Sequence, residues 1–125
     1  MIFAAGLGTR LRPLTDNMPK ALVPVAGKTM LERVILKLKD AGFHDITINI
    51  HHFGNQIIDF LRANQNFGVD IHISDERGEL LDTGGGIKKA RPLLESNEPF
   101  LIHNADILTD VDLNAFYHHL SLIHI

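Results

Sequence analysis

Cysteine and tryptophan are absent from this chain, and no charge of one sign is in large excess. Without cysteine there are no disulfides and no thiolate ligands for a metal, and a reducing cytoplasm is the compartment expected. Lys and Arg number 12 against 15 Asp and Glu, a net charge of −3, so binding to nucleic acid has no electrostatic support. No apolar run approaches the roughly 20 residues of a bilayer-spanning helix, and no charged-then-apolar leader precedes the first strand. The expectation is therefore no membrane partner and no secretory signal. Histidine is frequent, with 8 residues. Yet the pairs His51-His52 and His118-His119 are adjacent and point to different faces of a strand or helix. No His-x-x-x-His spacing and no Gly-x-Ser-x-Gly elbow occurs, so neither a histidine metal site nor a serine triad is expected.

Two common phosphate-binding motifs are also missing. A Walker loop would need a Lys after its second glycine, and no Lys follows Gly8. The dinucleotide fingerprint G-x-G-x-x-G would need glycine where Leu11 stands, which argues against a nicotinamide oxidoreductase. At 45% hydrophobic and 22% charged, the 125 residues suit one globular domain with a core of its own.

The pattern along the chain predicts alternating strands and helices. Residues 1–5 form an apolar strand. Thr29 to Ala41 reads as a helix with Met30, Val34, Leu38 and Ala41 on one face, a Thr29/Glu32 capping box and a Gly42 stop. Asp45 to His51 alternates with period two, as in a strand. Gly54 to Asn64 is a second helix and Val69 to Ile73 a third strand, followed by a polar loop over Ser74 to Glu79. A helix starts at Gly85 or Gly86 and runs to about Leu94. Pro99 to His103 is a strand ending at Asn104-Ala105-Asp106. Asp110 or Asp112 caps a last helix with Leu113, Phe116 and Tyr117. This order implies an α/β fold, a mainly parallel Rossmann-like sheet with helices on both faces and right-handed crossovers. Ligands of such sheets bind at the carboxyl ends of the strands.

Three groups of chemistry-bearing residues fall at those ends. The first strand breaks into Ala5-Gly6-Leu7-Gly8-Thr9-Arg10, and Lys20 follows in Pro19-Lys20-Ala21-Leu22-Val23-Pro24. Glycines let the backbone approach an anion and turn N–H groups toward it, while Arg10 and Lys20 supply positive charge. Gly6, Gly8 and Thr9 are thus candidates to wrap triphosphate oxygens. In Leu81-Asp82-Thr83-Gly84-Gly85-Gly86 the glycines open a helix, whose free N–H groups favour anions or base carbonyls. Asp106, alone at the end of a buried strand facing the phosphate loop, suits Mg²⁺, which commonly takes one or two carboxylates plus phosphates and waters.

The full run G-x-G-T-R-L-x-P-L-T…P-K-x-L-x-P-V resembles the sugar-phosphate nucleotidylyltransferases. The resemblance covers about residues 1–119. It implies a nucleotide-diphospho-sugar transferase-like fold and transfer of a nucleotidyl group from a nucleoside triphosphate to a sugar 1-phosphate. It also implies Mg²⁺ on Asp106, catalytic charges at Arg10 and Lys20, and nucleotide contacts at Ala5, Gly6, Gly8, Thr9, Arg10, Thr83, Gly84, Gly85 and Gly86. The glycine turn departs from the common Leu-Gly-Thr-Ala-Gly form. Triple-glycine versions resemble the N-acetylmuramic acid 1-phosphate uridylyltransferase branch, which favours UTP, with GTP and mannose phosphate or CTP and a phosphorylated alcohol left open. A non-catalytic nucleotide-sensing domain of the same fold is the alternative. Family members usually begin a few residues earlier and carry a second metal carboxylate and sugar-phosphate contacts later in the chain. The last six residues, Leu120-Ser-Leu-Ile-His-Ile125, equal the translation of a transposase mosaic-end adapter. The expectation is a truncated domain over residues 1–119 and a non-native tail over residues 120–125.

Overall fold

The computed structural model describes residues 1–121. Most of the tail expected to be non-native lies outside the described residues.

The main sheet holds four parallel strands: β1 (Ile2–Phe3), β4 (Asp45–Ile50), β5 (Asp70–Asp75) and β6 (His103–Asn104). Their spatial order is β5-β4-β1-β6, with Ile2 opposite both Ile48 and His103. A small antiparallel ribbon of β2 (Pro24–Val25) and β3 (Lys28–Thr29) precedes the first helix. The helices are α1 (Met30–Asp40), α2 (Gly54–Ala63), α3 (Thr83–Leu94) and α4 (Leu113–Ser121).

Both faces of β4 are covered, since every residue from Ile46 to Ile50 is buried. Successive side chains of a strand point to opposite faces. Ile46, Ile48 and Ile50 join Leu31, Val34, Ile35 and Leu38 of α1 and Ile57 and Leu61 of α2 in one core. Asn49 points the other way, where Gly86 of α3 packs against it. α4 enters the core through Leu113, and Tyr117 meets Phe43 edge-on, with ring centroids 5.3 Å apart.

Local chemistry explains the helix starts. Thr29 caps α1, its Oγ1 accepting the Glu32 N–H at 3.0 Å, as the capping box predicts. Asp112, of the two expected candidates, caps α4 by accepting the Ala115 N–H at 3.0 Å. α3 begins at Thr83, earlier than the Gly85 or Gly86 expected. The Gly86 N–H donates to the Asp82 carbonyl at 2.7 Å, so Gly84 and Gly85 already lie inside the first turn. β1 and β6 are shorter than the pattern suggested. Past Phe3 the chain leaves the ladder, and the Ala4 N–H is taken up by the Asn49 side chain at 2.7 Å. The register sets Ile2 opposite His103, and just before the paired residues the Met1 amine donates to the Leu101 carbonyl at 2.6 Å.

The ribbon is a feature the pattern missed. Ala26 and Gly27 turn with φ of 51° and 86°. Arg33 of α1 then holds the turn, donating to the Val25 carbonyl from Nε at 3.0 Å and to the Ala26 carbonyl at 3.0 Å.

After β5, Arg77 closes back on the strand. Its Nε donates to Asp75 at 2.9 Å, its second terminal nitrogen at 2.7 Å, and it donates to Asn55 as well. The Arg77 side-chain hydrogen bonds, followed by its backbone N–H, hold the Asp75 carboxyl at about 2 instead of 3.8. A carboxyl with a depressed folded-state pKa stabilises the fold above its unfolded value and loses that contribution as pH falls through the window between the two. The pair is widely exposed, so the contribution is small. An NMR titration is expected to show an Asp75 midpoint near 2 that moves back toward 3.8 in Arg77→Gln; an unmoved midpoint would show that Arg77 is not the cause.

Candidate active site

The carboxyl ends of β1, β4 and β6 meet one cavity of about 310 Å³. It opens beside the point where the strand order reverses, since β1 sits between β4 on one side and β6 on the other. That is the place where open α/β sheets bind ligands. Phe3 to Gly6 line it after β1, Lys20 and Ala21 after the phosphate loop, Leu80 to Thr83 before and at the start of α3, and Asn104 to Asp106 after β6.

The loop after β1 needs glycine at position 8 for two reasons. Its φ is +67°, and a Cβ there would lie 2.8 Å from Thr15 Cγ2 and 3.2 Å from Lys20 Cβ. Thr15 is buried and its hydroxyl donates to the Gly8 carbonyl at 2.6 Å. Thr15, the last residue of the G-x-G-T-R-L-x-P-L-T run, thereby pins the loop. Gly8→Ala is expected to cost about 1–3 kcal/mol through backbone strain and the Thr15 contact. Thermal unfolding measures it, and an unchanged Tm would mean that the loop does not hold this conformation.

Lys20 opens a short 3₁₀ turn, Lys20–Leu22. Pro19 before it and Ala21 after it are buried, which aims the lysine with little freedom left. Its Nζ reaches Asp106 Oδ2 at 2.5 Å, with both side chains about one-third exposed (32% and 35%). The Lys20 hydrogen bond, helped by its charge and opposed by partial burial, holds the Asp106 carboxyl below the usual carboxylate range. Thus the first-strand loop and the last strand's acid converge on one cavity wall.

The other expected residues divide. Ala5, Gly6, Lys20, Thr83 and Asp106 line the cavity. Gly8, Thr9, Arg10, Gly84, Gly85 and Gly86 do not. Arg10 lies exposed in the turn Thr9–Leu11. The three glycines have different surroundings. Gly84 is open, since a Cβ there would meet nothing within 4 Å, and a Cβ at Gly85 would lie 3.1 Å from Leu81 Cβ. Gly86 is buried, 3.1 Å from Glu76 Oε2 and 3.2 Å from Asn49 Nδ2 by the same measure. Its small size serves packing of α3 on the sheet.

Two residues that the motifs passed over meet at the cavity floor: Asn49 lines it and Glu76 lies beneath. Asn49 is 4% exposed and Glu76 0%. A lone amide in the Asp45-Ile-Thr-Ile-Asn-Ile50 strand was a usable signal, because a parallel strand covered on both faces has no wet side for it. Glu76, inside a polar loop, carried none.

The groups present fit Mg²⁺ only in company with a ligand. Among the described residues no three His, Asp or Glu side chains gather to hold an ion. A single accessible carboxylate on a cavity wall suits the cation that takes most of its ligands from phosphates and water. No helix among the described residues is long and apolar enough to cross a membrane.

Comparison with known proteins agrees with this geometry. The family model for nucleotidyl transferase matches residues 1–121. The chain is 48% identical over 117 residues to an N-acetylmuramate alpha-1-phosphate uridylyltransferase of Neisseria meningitidis serogroup B, covering 94% of this chain and 50% of that protein. It is 39% identical to a mannose-1-phosphate guanyltransferase of Gibberella zeae, covering 94% of this chain and 33% of that one. The crystal structure of HddC from Yersinia pseudotuberculosis, complexed with GMP-PN, superposes with a TM-score of 0.84 at 32% identity, over 97% of this chain and 52% of HddC. The chain therefore spans about half the length or less of the relatives it matches. With its parallel sheet, glycine loop and matched family model, this chain belongs to the nucleotidyl transferase family.

Proposed function

We propose that the complete protein transfers a nucleotidyl group from a nucleoside triphosphate to a sugar 1-phosphate. An oxygen of the sugar phosphate attacks the α-phosphorus. The new P–O bond forms as the bond from the α-phosphorus to the bridging oxygen breaks, and pyrophosphate leaves with that electron pair. Such a transfer asks the protein mainly for positioning and charge neutralisation.

The observation that carries this reading is the meeting of Lys20 and Asp106 beside the glycine loop. Lys20 binds phosphate charge, and Arg10 does so from the loop. Backbone N–H groups at Ala5, Gly6, Gly8 and Thr9 hold the phosphates. Thr83, Gly84 and Gly85, at the start of α3, take the base or sugar, and Gly86 lets that helix approach. Asp106 is the residue that would hold Mg²⁺, which when bound supplies further positive charge to the phosphates. Without it, Asp106 keeps Lys20 oriented toward the cavity.

The 48% identity to a uridylyltransferase and the triple-glycine turn together favour UTP with N-acetylmuramic acid 1-phosphate. The test is pyrophosphate release by the complete protein, with four triphosphates crossed against a panel of sugar 1-phosphates. UTP with that sugar is expected to give the highest kcat/KM. Nucleotide binding without pyrophosphate release for any pair would instead mark a sensing domain.

A further inference from the structure

At the cavity floor, Asn49, which lines it, and Glu76, beneath it, tie together walls that are distant in sequence. Asn49 Oδ1 accepts the Ala4 N–H at 2.7 Å, at the root of the phosphate loop. Its Nδ2 donates to Glu76 Oε2 at 2.8 Å. The other carboxylate oxygen, Oε1, accepts the Leu81 N–H at 3.2 Å, on the opposite wall. Glu76 is itself fixed to β4, its N–H donating to the Ile50 carbonyl at 2.8 Å and its carbonyl accepting from His51 Nδ1 at 2.6 Å. Gly86 leaves room for α3 to close over the pair. The buried carboxylate receives an amide side chain and a backbone N–H, an arrangement that satisfies both oxygens and fixes direction as well as distance.

We propose that Asn49 and Glu76 are positioning residues for nucleotidyl transfer, forming a brace that sets the spacing between Ala4 and Leu81 across the cavity. The role rests on the function proposed above. Glu76 has no exposed surface, so it acts through Leu81 and Asn49 and not on the reacting atoms. The donors on both sides make the brace polar in one sense. The Ala4 N–H holds Asn49 Oδ1, which leaves only Nδ2 for position 76, and Leu81 supplies a second donor.

That polarity gives the test. In Glu76→Gln one donor must face another, because a glutamine side chain has a single oxygen for two incoming N–H groups. In the complete protein, Glu76→Gln is expected to raise KM for the triphosphate about 10²-fold, the scale of an ångström of misplacement. Loss of folded protein alone would lower apparent kcat and leave KM unmoved. The double variant Asn49→Asp/Glu76→Gln restores the chain in reverse. The carboxylate introduced at position 49 accepts from the Ala4 N–H and from the amide introduced at position 76, and the oxygen of that amide accepts from the Leu81 N–H. The double variant is expected to recover at least tenfold in KM and to restore slow amide exchange at Ala4 and Leu81. A Glu76→Gln protein within about threefold of wild type in KM would overturn the brace. So would a double variant with neither recovery, or a Glu76→Gln protein that simply prefers a different base, which would make position 76 a direct substrate contact. Wild-type turnover is the control: its absence overturns the proposed function, and the brace's role in it, before any variant is compared.

Discussion

Asp106→Ala in the complete protein is expected to lower kcat/KM for nucleotidyl transfer by about 10²–10³, the loss seen when one preorganised charge or donor is taken from a transition state. Two contributions disappear together. The carboxylate that would hold Mg²⁺ is gone, and Lys20 Nζ loses the partner that holds it at the cavity wall. The fold is expected to survive, because an ion pair with both members about one-third exposed contributes little to stability. Asp106→Asn separates the two effects. It keeps a hydrogen-bond acceptor for Lys20 and removes the charge. Turnover near that of Ala would assign the effect to the charge, while turnover near wild type would assign it to orientation of Lys20. An Asp106→Ala protein that turns over normally would remove this residue from the chemistry, and with it the main support for the proposed reaction.

Gly86→Val is the second large effect expected, and Gly84→Ala is its contrast. At position 86 even a Cβ would sit 3.1 Å from Glu76 Oε2 and 3.2 Å from Asn49 Nδ2. Those neighbours are buried and hydrogen-bonded, so they cannot swing away. Overpacking of this kind costs about 1–3 kcal/mol, and here it also pushes α3 off the sheet that supports the cavity. A fall in denaturation midpoint with a rise in KM for the triphosphate is the expected pair of readouts. Gly84→Ala meets nothing within 4 Å and replaces a glycine inside a helix, so stability is expected to hold or to rise by up to about 1 kcal/mol. If Gly84 touches base or sugar, its variant changes KM alone. Equal destabilisation at both positions would contradict the packing described for Gly86.

The helices and inner strands were legible because their signals are local and repeated. The Thr29/Glu32 box and the period-two run over residues 45–50 each specify an element from within a few residues. Residues 24–29 were not legible as a ribbon. Two-residue strands lie below the length at which alternation can be seen, and the turn is made by Ala26 and Gly27 with help from Arg33. The start of α3 was placed late because three glycines read as loop, whereas the capping carbonyl of Asp82 recruits them into the helix. The nearness of Lys20 to Asp106 follows from putting both motifs at strand ends of a parallel sheet, a rule of topology. The Asn49–Glu76 link obeys no such rule. It depends on the loop after β5 turning one carboxylate inward under α3, a matter of three-dimensional packing.

The strand order β5-β4-β1-β6 seats the latest-made of the described strands against the first. During synthesis the amino-terminal loop, with its cation already in place, must wait while three helices and two further strands of the main sheet emerge from the ribosome. Only when residues 103–106 dock beside Ile2 and Phe3 does the acidic half of the pocket arrive. Such a long-range pairing bears the entropy of closing a large loop before any contact rewards it. A nascent chain halted before Asp106 thus lacks the carboxylate that meets Lys20, and formation of that ion pair reports the moment at which β6 docks on β1.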